Sequence, residues 1–438
     1  MLLCPALRVA LVTQFLIDRT PLIHSAKKST AIAAGSFDLP SGFSVHVFQS
    51  LENTNRSDWE KVIPSNNFFL QWDYLLAMER NAPANMKFHY ALVSDAKAKD
   101  GEKINAAFYF QVIHISAEEI SYILQPLAKD AKGFGAQVGE WLKSAKKEDG
   151  FRLLISGNNF ISGEYGVAMT KDADPEKIFV ALAETVKVIT ENDRNPGKIS
   201  AILVKDYFEN SAHASSDFLR KKRYHRFMVE PEMIVPIEAG WKNFDGYLAA
   251  MSKKYRNRAK SVLKKTSGLV VKELSAEEIV KNETEIFNLY RNVHEKAKFR
   301  LALLSENYFS AIKKEFPESF RVFAYELNGK SVAFRSAFHL DAHLEAHFIG
   351  IDYAVNENLP LYQRMLYDYI RDGIDAGYGK VFLGRTAAEM KSTVGAVAHD
   401  LVCYIRHRNG FSNQVIRPFI DYLKPSDWIP RNPFKEEV

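Results

Sequence analysis

The sequence predicts an α/β (α+β) protein made of two tandem units, each a mixed, mostly antiparallel sheet with packed helices. Two observations lead to this prediction. The chain has 438 residues, which is more than one ordinary domain holds. Both halves also show the same order of elements, in which strands are followed by a helix and one more strand. A single large α+β domain with a coincidental repeat is the alternative.

The predicted boundaries follow from this repeat. We expect the first unit to span residues 36–225 and the second unit to span residues 232–438. Residues 1–35 are expected to be a poorly ordered N-terminal extension. Their apolar start is interrupted by Arg8 and lacks the positively charged region of a signal peptide.

The second half shows the clearest strand signals. Arg321–Leu327 is rich in aromatic and β-branched residues and ends at Asn328-Gly329, a strong hairpin dipeptide. Ser331–Leu340 alternates in the manner of a strand with two distinct faces. Asp341-Ala342 is a plausible two-residue turn before a third strand, Leu344–Val355. These segments predict an antiparallel meander of three strands.

A helix and a short strand follow this meander. Apolar residues recur at helical spacing from Leu361 to Ile374, with Pro360 in the first turn and Asn358 as the predicted N-cap. Val381–Leu383 is a short apolar strand. Because a helix between two strands of one sheet is a crossover, this last strand is predicted to run parallel to the third.

The first half repeats the order with weaker signals. Its predicted elements are strands at Phe88–Val93 and Ile104–Ile113, apolar stretches within Leu153–Val167 broken by Gly157 and Gly163, a helix from Asp174 to about Thr190, and a strand at Ile199–Val204. The polar residues at the matching strand ends are Asn158, Asn159, Lys205 and Asp206, with no plausible base beside them. We therefore expect the first unit to shape a binding cleft instead of running a reaction of its own.

The order of three antiparallel strands, a helix and a parallel strand resembles the core of the GNAT superfamily of N-acyltransferases. Phe244–Lys265 resembles the opening helix of the Fem-like and BioF2-like acyltransferases, which have two GNAT units in tandem. Leu383–Ala396 resembles their block after the last core strand, with matching residues at Gly384, Arg385, Thr386, Lys391 and Gly395. The resemblance covers about residues 40–435.

This resemblance implies an acyl donor in the gap between the third strand and the strand after the helix. The donor pyrophosphate would lie on the N-terminus of that helix, which assigns donor-binding roles to Asn358, Leu361 and Tyr362. The implied donor is an acyl-coenzyme A. The turn at Asn356–Asn358 lacks the glycines that coenzyme-A-dependent GNAT proteins usually carry, so aminoacyl-tRNA, the donor of Fem proteins, is the alternative.

Basic residues supply the other candidate donor contacts. Seven Lys or Arg residues fall within the thirteen positions of Lys253–Lys265, and Lys254 and Arg256 are the predicted phosphate ligands. A solvated helix face is the alternative. Arg220–Arg226 is a second basic cluster that could extend this surface. Arg385 and Lys391 follow a core strand at its carboxyl end, where open α/β sheets bind ligands, although Glu389 could pair with either of them.

Three residues are candidates for proton transfer. Glu345 and His347 share a face of the third strand, and histidine suits general base catalysis at neutral pH. A bulge in this strand would instead turn His347 into the core. Tyr404 is a candidate donor to the leaving group, with a core aromatic as the alternative. His339 and His343 are four residues apart, which is the spacing of metal ligands on one helix. A predicted turn separates them, so no metal is expected.

Composition limits the function classes further. The net charge of +5 is mild, and two cysteines cannot form a disulfide framework. No apolar run reaches the roughly 18 residues of a membrane span, so a cytoplasmic location is expected. No nucleophile elbow is present, which predicts direct attack without a covalent intermediate.

The predicted function is transfer of an acyl or aminoacyl group to a primary amine of a small molecule or a cell-wall or envelope precursor. Such an enzyme would have this amine as substrate and, with the alternative donor, tRNA as a partner. A non-catalytic tandem module that binds RNA or an acyl carrier through the basic helix is the other hypothesis.

Overall fold

The computed structural model describes residues 35–96, 103–116, 119, 150–193, 198–211, 213–297, 302–414, 420–421, 425 and 427–435. The chain forms two compact units. The first comprises Met1–Val229 and Leu401–Pro425, and the second comprises Glu230–Asp400 and Ser426–Val438. Residues 1–34 of the predicted N-terminal extension lie outside the described residues, and Gly35 begins the first strand.

The described strands and helices have the following bounds. From residue 35 to residue 236 they are β1 (Gly35–Asp38), β2 (Phe43–Phe48), α1 (Arg56–Glu60), α2 (Trp72–Arg80), β3 (Met86–Asp95), β4 (Ile104–Ser116), β5 (Gly150–Ser156), β6 (Val167–Met169), α3 (Pro175–Asn192), β7 (Ile199–Phe208), α4 (His213–Lys221) and β8 (His225–Pro236). The next are α5 (Phe244–Ala250), α6 (Lys253–Lys265), β9 (Val270–Glu273), α7 (Ala276–Lys281), α8 (Glu283–Lys296), α9 (Tyr308–Glu315), β10 (Phe320–Leu327), β11 (Lys330–His339) and β12 (His343–Ile351). The last are α10 (Tyr353–Asn356), α11 (Leu361–Asp375), β13 (Lys380–Phe382), α12 (Ala388–Ser392), β14 (Val397–His407) and α13 (Gly410–Gln414).

The sheet of the first unit is mixed and mostly antiparallel, as predicted. Strands β1 to β5 pair antiparallel in sequence order, and β6 pairs antiparallel with β4. β5 and β7 are parallel because α3 lies on the crossover between them. Asp174 caps α3, and the predicted apolar face of this helix is buried, including Ile178, Leu182 and Val186.

The first unit also holds residues that the sequence analysis assigned to the second. Leu401–Pro425 belongs to the first unit, whereas the predicted second unit extended through residue 438. The physical reason is strand pairing, because β14 runs antiparallel to β7 with Tyr404 opposite Val204. A strand position at the end of the chain is set by long-range pairing, which local sequence patterns do not encode.

The second unit has the predicted meander and crossover. β9, β10, β11 and β12 pair antiparallel, β12 and β13 are parallel, and β13 pairs antiparallel with β8. β12 ends at Ile351 instead of the predicted Val355, because the Asp352 carboxylate accepts the Ala354 N–H at 3.0 Å and starts α10. The predicted capping of the crossover helix by Asn358 is wrong, since Pro360 occupies the N-cap position of α11.

A β-bulge interrupts the pairing of β11 with β12. Ala337 lies opposite Ala346 and Arg335 opposite Ile349, so Ser336 faces two residues of the other strand. The Ser336 hydroxyl accepts the Phe348 N–H at 3.1 Å and donates to the Phe348 carbonyl at 2.9 Å. The serine side chain therefore supplies the bonds that the disturbed ladder lacks.

The predicted opening helix is two helices. The chain leaves helical geometry at Met251 and Ser252, whose ψ angles are 148° and 156°, and this break separates α5 from α6. The predicted apolar stripe nevertheless faces the core, because Phe244, Leu248 and Val262 are buried. The basic side chains consequently point toward solvent, apart from the half-buried Arg256.

Buried charges fix α11 against the sheet. Arg335 is 2% exposed, and its Nε donates to the Tyr325 hydroxyl at 2.9 Å while its Nη1 lies 2.7 Å from Asp372. The Tyr325 hydroxyl in turn donates to Asp368 at 2.7 Å. One strand cation thus pairs with Asp372 directly and is linked to Asp368 through Tyr325, while Arg364 and Arg371 pair with Asp368.

We predict that Arg335→Ala lowers the free energy of unfolding by about 3–5 kcal/mol, since it leaves the Asp372 carboxylate without its cation and removes a buried side chain from the network. The urea midpoint of the variant measures this loss. The matched control is Arg56→Ala, because Arg56 pairs with Glu60 and Asp73 on the surface and its side chain is 52% exposed. The control should cost far less, because ion pairs between exposed side chains contribute little to stability. Equal costs for the two variants would contradict a structural role of the buried network.

Candidate active site

The candidate site lies where the parallel pairing of β12 and β13 ends. Only three residue pairs form this ladder, and the last is Glu345 with Phe382. β12 continues to Ile351, whereas β13 turns into a loop in which Gly384, Thr386 and Ala387 adopt positive φ angles of 75°, 67° and 51°. The two strands therefore separate just beyond Glu345, at the carboxyl end where open sheets bind ligands.

Three ionisable side chains are buried at this strand end. Glu232 is 1% exposed, Glu345 3% and Lys391 4%. Glu345 is the neighbour of Phe382, and Phe382 is the neighbour of Ile234 on β8. Since neighbouring residues share a sheet face and side chains alternate along a strand, Glu232 projects from the same face as Glu345.

Hydrogen bonds tie Glu232 and Lys391 to the loop after β13. A Glu232 carboxylate oxygen accepts the Gly384 N–H at 2.7 Å. The Lys391 ammonium donates to the carbonyls of Gly384 at 2.9 Å and of Arg385 at 2.5 Å. Positive φ angles at Thr386 and Ala387 are costly for residues other than glycine, and these buried bonds stabilise the loop in that conformation.

Burial shifts the proton affinity of this cluster. Desolvation raises the pKa of Glu345 well above its usual range, and the negative charge of Glu232 raises it further. Desolvation also lowers the pKa of Lys391 to about 8, a shift that Glu232 and Glu230 oppose and that Arg385 reinforces. The cluster can therefore exchange protons in a pH range that an exposed Glu or Lys would not reach.

The predicted base His347 lies in an aromatic cluster. Its ring centroid is 5.2 Å from that of Phe338 and 5.9 Å from that of Phe320, and its Nε2 is 2.7 Å from the Tyr308 hydroxyl. Burial lowers the pKa of His347 to about 3, so the imidazole is neutral at pH 7. The bulge opposite Ser336 produces this placement, which is the alternative that the sequence left open.

The structure does not bring Tyr404 together with Glu345 in one compact unit. Tyr404 lies in β14 and is fully buried in the apolar core of the first unit, whereas Glu345 belongs to the second. A core aromatic was the alternative reading of Tyr404 from the sequence, and its surroundings match that reading.

The predicted phosphate ligands on α6 differ in their surroundings. Lys254 is exposed, with its ammonium 5.4 Å from the centroid of the Tyr255 ring. Arg256 donates to the Met251 carbonyl at 3.2 Å, close to the end of α5. Lys391 is held by the two loop carbonyls, and Arg385 is half-buried in the same loop.

The first turn of α11 contains the predicted pyrophosphate site. Asn358 is exposed, Leu361 is buried and Tyr362 is half-buried. The Tyr362 N–H donates to Asn356 Oδ1 over 3.5 Å, and no side chain caps the N-terminus of α11 at Pro360. The Leu361 N–H donates to the Leu359 carbonyl at 2.7 Å, so the N–H of Tyr362, whose bond is long, is the group at this helix start that could bind an anion.

Two residues that the sequence analysis missed lie at these positions. Glu232 belongs to the cluster at the strand end. The sequence feature that could have pointed to it is an acidic residue directly before the apolar run Met233–Val235 of a strand. Arg258 is the second, since its guanidinium contacts Met390 Sδ at 3.7 Å and Gln363 of the first turn of α11 contacts the same sulfur at 3.2 Å. Arg258 lies one helical turn beyond Lys254, within the basic helix that was identified.

The equivalent strand end in the first unit is filled by its own chain. Lys205 is buried, and its ammonium donates to the carbonyls of Asn158 at 2.6 Å and Ile161 at 3.1 Å. Its stem lies against Gly157, where an added Cβ would come within 2.6 Å of it. Asp206, which pairs with Lys205, has a φ of 61°. The lysine thus fills the space where the parallel pairing of β5 and β7 ends.

The described residues also bear on metal binding and membrane crossing. No group of three or more His, Cys, Asp or Glu side chains is arranged there to hold a metal ion. None of the helices in this part of the chain combines the length and the apolar character that a bilayer crossing requires.

No protein family model matches the chain, and no curated protein is similar to it in sequence. The fold is similar to that of solved structures. A structure of FemX has 10% sequence identity, covers 84% of this chain and 99% of its own, and gives a TM-score of 0.49. A tandem GNAT protein from the clavulanic acid biosynthesis pathway has 7% identity, covers 83% and 99%, and gives 0.45. A GCN5-related N-acetyltransferase from Sphaerobacter thermophilus has 9% identity, covers 84% and 96%, and gives 0.41. These similarities concern the fold and carry no information on the substrate of this chain.

We predict that His347→Phe flattens the acid side of the stability profile. Because the pKa of His347 is lowered to about 3 in the folded state, the wild type loses stability as pH falls from about 6.5 toward 3. Between pH 7 and pH 5 the difference between wild type and variant should therefore change by about 2 kcal/mol in favour of the variant. Urea unfolding at the two pH values measures it, and parallel profiles would contradict the buried neutral imidazole.

Proposed function

We propose that the chain is an N-acyltransferase that transfers an acyl group from a coenzyme A thioester, or an aminoacyl group from aminoacyl-tRNA, to a primary amine. The observation that carries this proposal is the buried Glu345 at the point where β12 and β13 separate. A carboxylate with a raised pKa is a suitable acceptor for the proton of an amine. The amine belongs to a small molecule or an envelope precursor, and we assign the protein to the cytoplasm, where both donors occur.

The reaction is direct attack on the bound donor. The substrate ammonium gives one proton to the Glu345 carboxylate, and the free amine then attacks the acyl carbon. A C–N bond forms while the C–S bond of a thioester, or the C–O bond of an aminoacyl ester, breaks. The leaving sulfur or oxygen keeps the electron pair and takes up the second proton of the amine nitrogen. No metal ion enters this scheme.

The donor phosphates are assigned to the first turn of α11 and the basic face of α6. Asn358, Leu361 and Tyr362 line this site at the helix start, and the Tyr362 N–H is the backbone group that would bind a phosphate oxygen. Arg258 is better placed than Lys254 or Arg256, because it approaches Met390 together with Gln363 of that turn. Arg385 and Lys391 act through the loop after β13, with Lys391 positioning its carbonyls.

A second candidate function is a non-catalytic module that binds RNA or an acyl carrier. The observation that favours it is the exposed face of α6, on which Lys253, Lys254, Arg258, Lys260, Lys264 and Lys265 all point to solvent. Such a surface attracts polyanions whether or not chemistry follows. Catalytic turnover distinguishes the two functions.

A donor screen followed by a transfer assay tests the enzyme. Coenzyme A, acetyl-coenzyme A and aminoacyl-tRNA are first compared by thermal shift, since a ligand of the native state raises its melting temperature. Donor cleavage is then measured with a panel of primary amines. Glu345→Gln, which keeps the size of the side chain, should lower turnover by about 10²–10⁴-fold with little change in donor affinity. Amine-dependent cleavage that persists in this variant would refute the assigned base.

Arg258→Ala tests the donor site. Loss of a charged contact to phosphate should raise the Kd of coenzyme A by about 10-fold or more at low salt, and the difference should shrink as ionic strength rises. Lys264→Ala is the matched control, because Lys264 is equally exposed in the last turn of α6. Equal effects of the two substitutions would indicate diffuse attraction and favour the non-catalytic polyanion binder.

A further inference from the structure

We propose that Glu232 is a positioning residue that forms a carboxyl pair with Glu345, and that this pair holds one proton in the resting protein. The inference deepens the proposed function, because its catalytic consequence rests on Glu345 as the base. The pairing itself is a property of the folded chain and is testable without any substrate.

Strand geometry allows the two carboxyl groups to approach each other. They project from the same face of the sheet on the two strands that flank β13. Gly384, whose N–H binds Glu232, follows β13 between these strands, and a Cβ added there would meet no atom within 4 Å. The space beside the pair is therefore open at the carboxyl end of β13.

The charge balance of the cluster favours one bound proton. With every group ionised, Glu232, Glu345 and Lys391 would carry a net charge of −1 in a region where each side chain is at most 4% exposed. Buried net charge is costly, and a group in such a place takes up a proton instead. The other charged groups that face the cluster, Glu230 on β8 and Arg385 in the loop, are only half-buried.

The two acids are not equivalent. The Gly384 N–H donates to Glu232 and stabilises its carboxylate form. The shared proton consequently resides on Glu345, and the charge of Glu232 raises the pKa of that partner. Before transfer the pair releases this proton to solvent, after which the Glu345 carboxylate accepts one from the substrate ammonium. Glu232 thus makes Glu345 a stronger base, closer in proton affinity to the amine it serves.

Glu232→Gln separates the charge of Glu232 from its structural bond. The amide oxygen can still accept the Gly384 N–H, so the loop keeps its contact while the negative charge is lost. The matched control is Glu230→Gln, which removes the neighbouring acid of the same strand without removing a group that acts on Glu345. Full-length wild type and the two variants are compared with Glu345→Gln.

Infrared titration is the test that needs no activity. The carbonyl stretch of a protonated carboxylic acid should persist in the wild type to a pH well above the range of an ordinary Glu. This signal should be absent in Glu345→Gln, and it should titrate at least about one pH unit lower in Glu232→Gln. Glu230→Gln should resemble the wild type. A signal that Glu345→Gln does not remove, or that Glu232→Gln does not move, overturns the pairing.

The pH dependence of the transfer rate tests whether Glu232 acts on Glu345 during catalysis. In Glu232→Gln the acid side of the pH–rate profile should shift to lower pH by the same amount as the infrared titration. The plateau rate should also be lower, because the base is weaker. A merely structural role of Glu232 would lower the rate without moving the limb, and this result would overturn the positioning role. If the infrared shift occurs while no amine supports transfer in any variant, the carboxyl pair stands and the proposed enzyme function fails.

Discussion

The second unit depends on a parallel strand pair that is only three residues long. A parallel ladder needs a crossover between its strands, and here α11 provides it. Beyond Glu345 and Phe382 the ladder cannot continue, because β12 bulges toward its other neighbour and β13 bends into a loop with three positive φ angles. The end of this pair creates an opening in a sheet that is otherwise fully bonded at this point, and the polar groups of the unit are arranged around it.

Two sets of buried charge surround the short ladder and serve different purposes. On the face covered by α11, Arg335 joins Tyr325 and Asp372, so the helix is held to the strands. On the opposite face, Glu345 shares its surroundings with Lys391 and Glu232. In the first set, cation and carboxylate lie close together and neutralise each other. The second set has one more acid than base, and the protonation of that acid depends on pH. Buried groups of this second kind are expected at functional sites.

The sequence was sufficient to predict the order of elements in both units, because periodicity and turn residues are local signals. The hairpin at Asn328-Gly329 and the crossover helix are examples. It left the bulge at His347 open as an alternative and could not decide it, since a bulge depends on which residues of the facing strand compete for hydrogen bonds. Glu232 was missed for a related reason, because its proximity to Glu345 arises from β8 joining the edge of β13, a pairing between segments far apart in the chain.

The two units show how one topology can be kept while its opening is used differently. In both, a helix crosses between parallel strands, and a lysine binds backbone carbonyls near the point where the parallel pairing ends. In the first unit Lys205 reaches across Gly157 to carbonyls of the neighbouring segment and fills the place between the strand ends. In the second unit Lys391 comes from α12 and binds the loop from outside, so the space above Gly384 stays open. Because a filled strand end has no room for a bound ligand, the acyl transfer that we propose is assigned to the strand end of the second unit, where Glu345 and the open space beside Gly384 are found together.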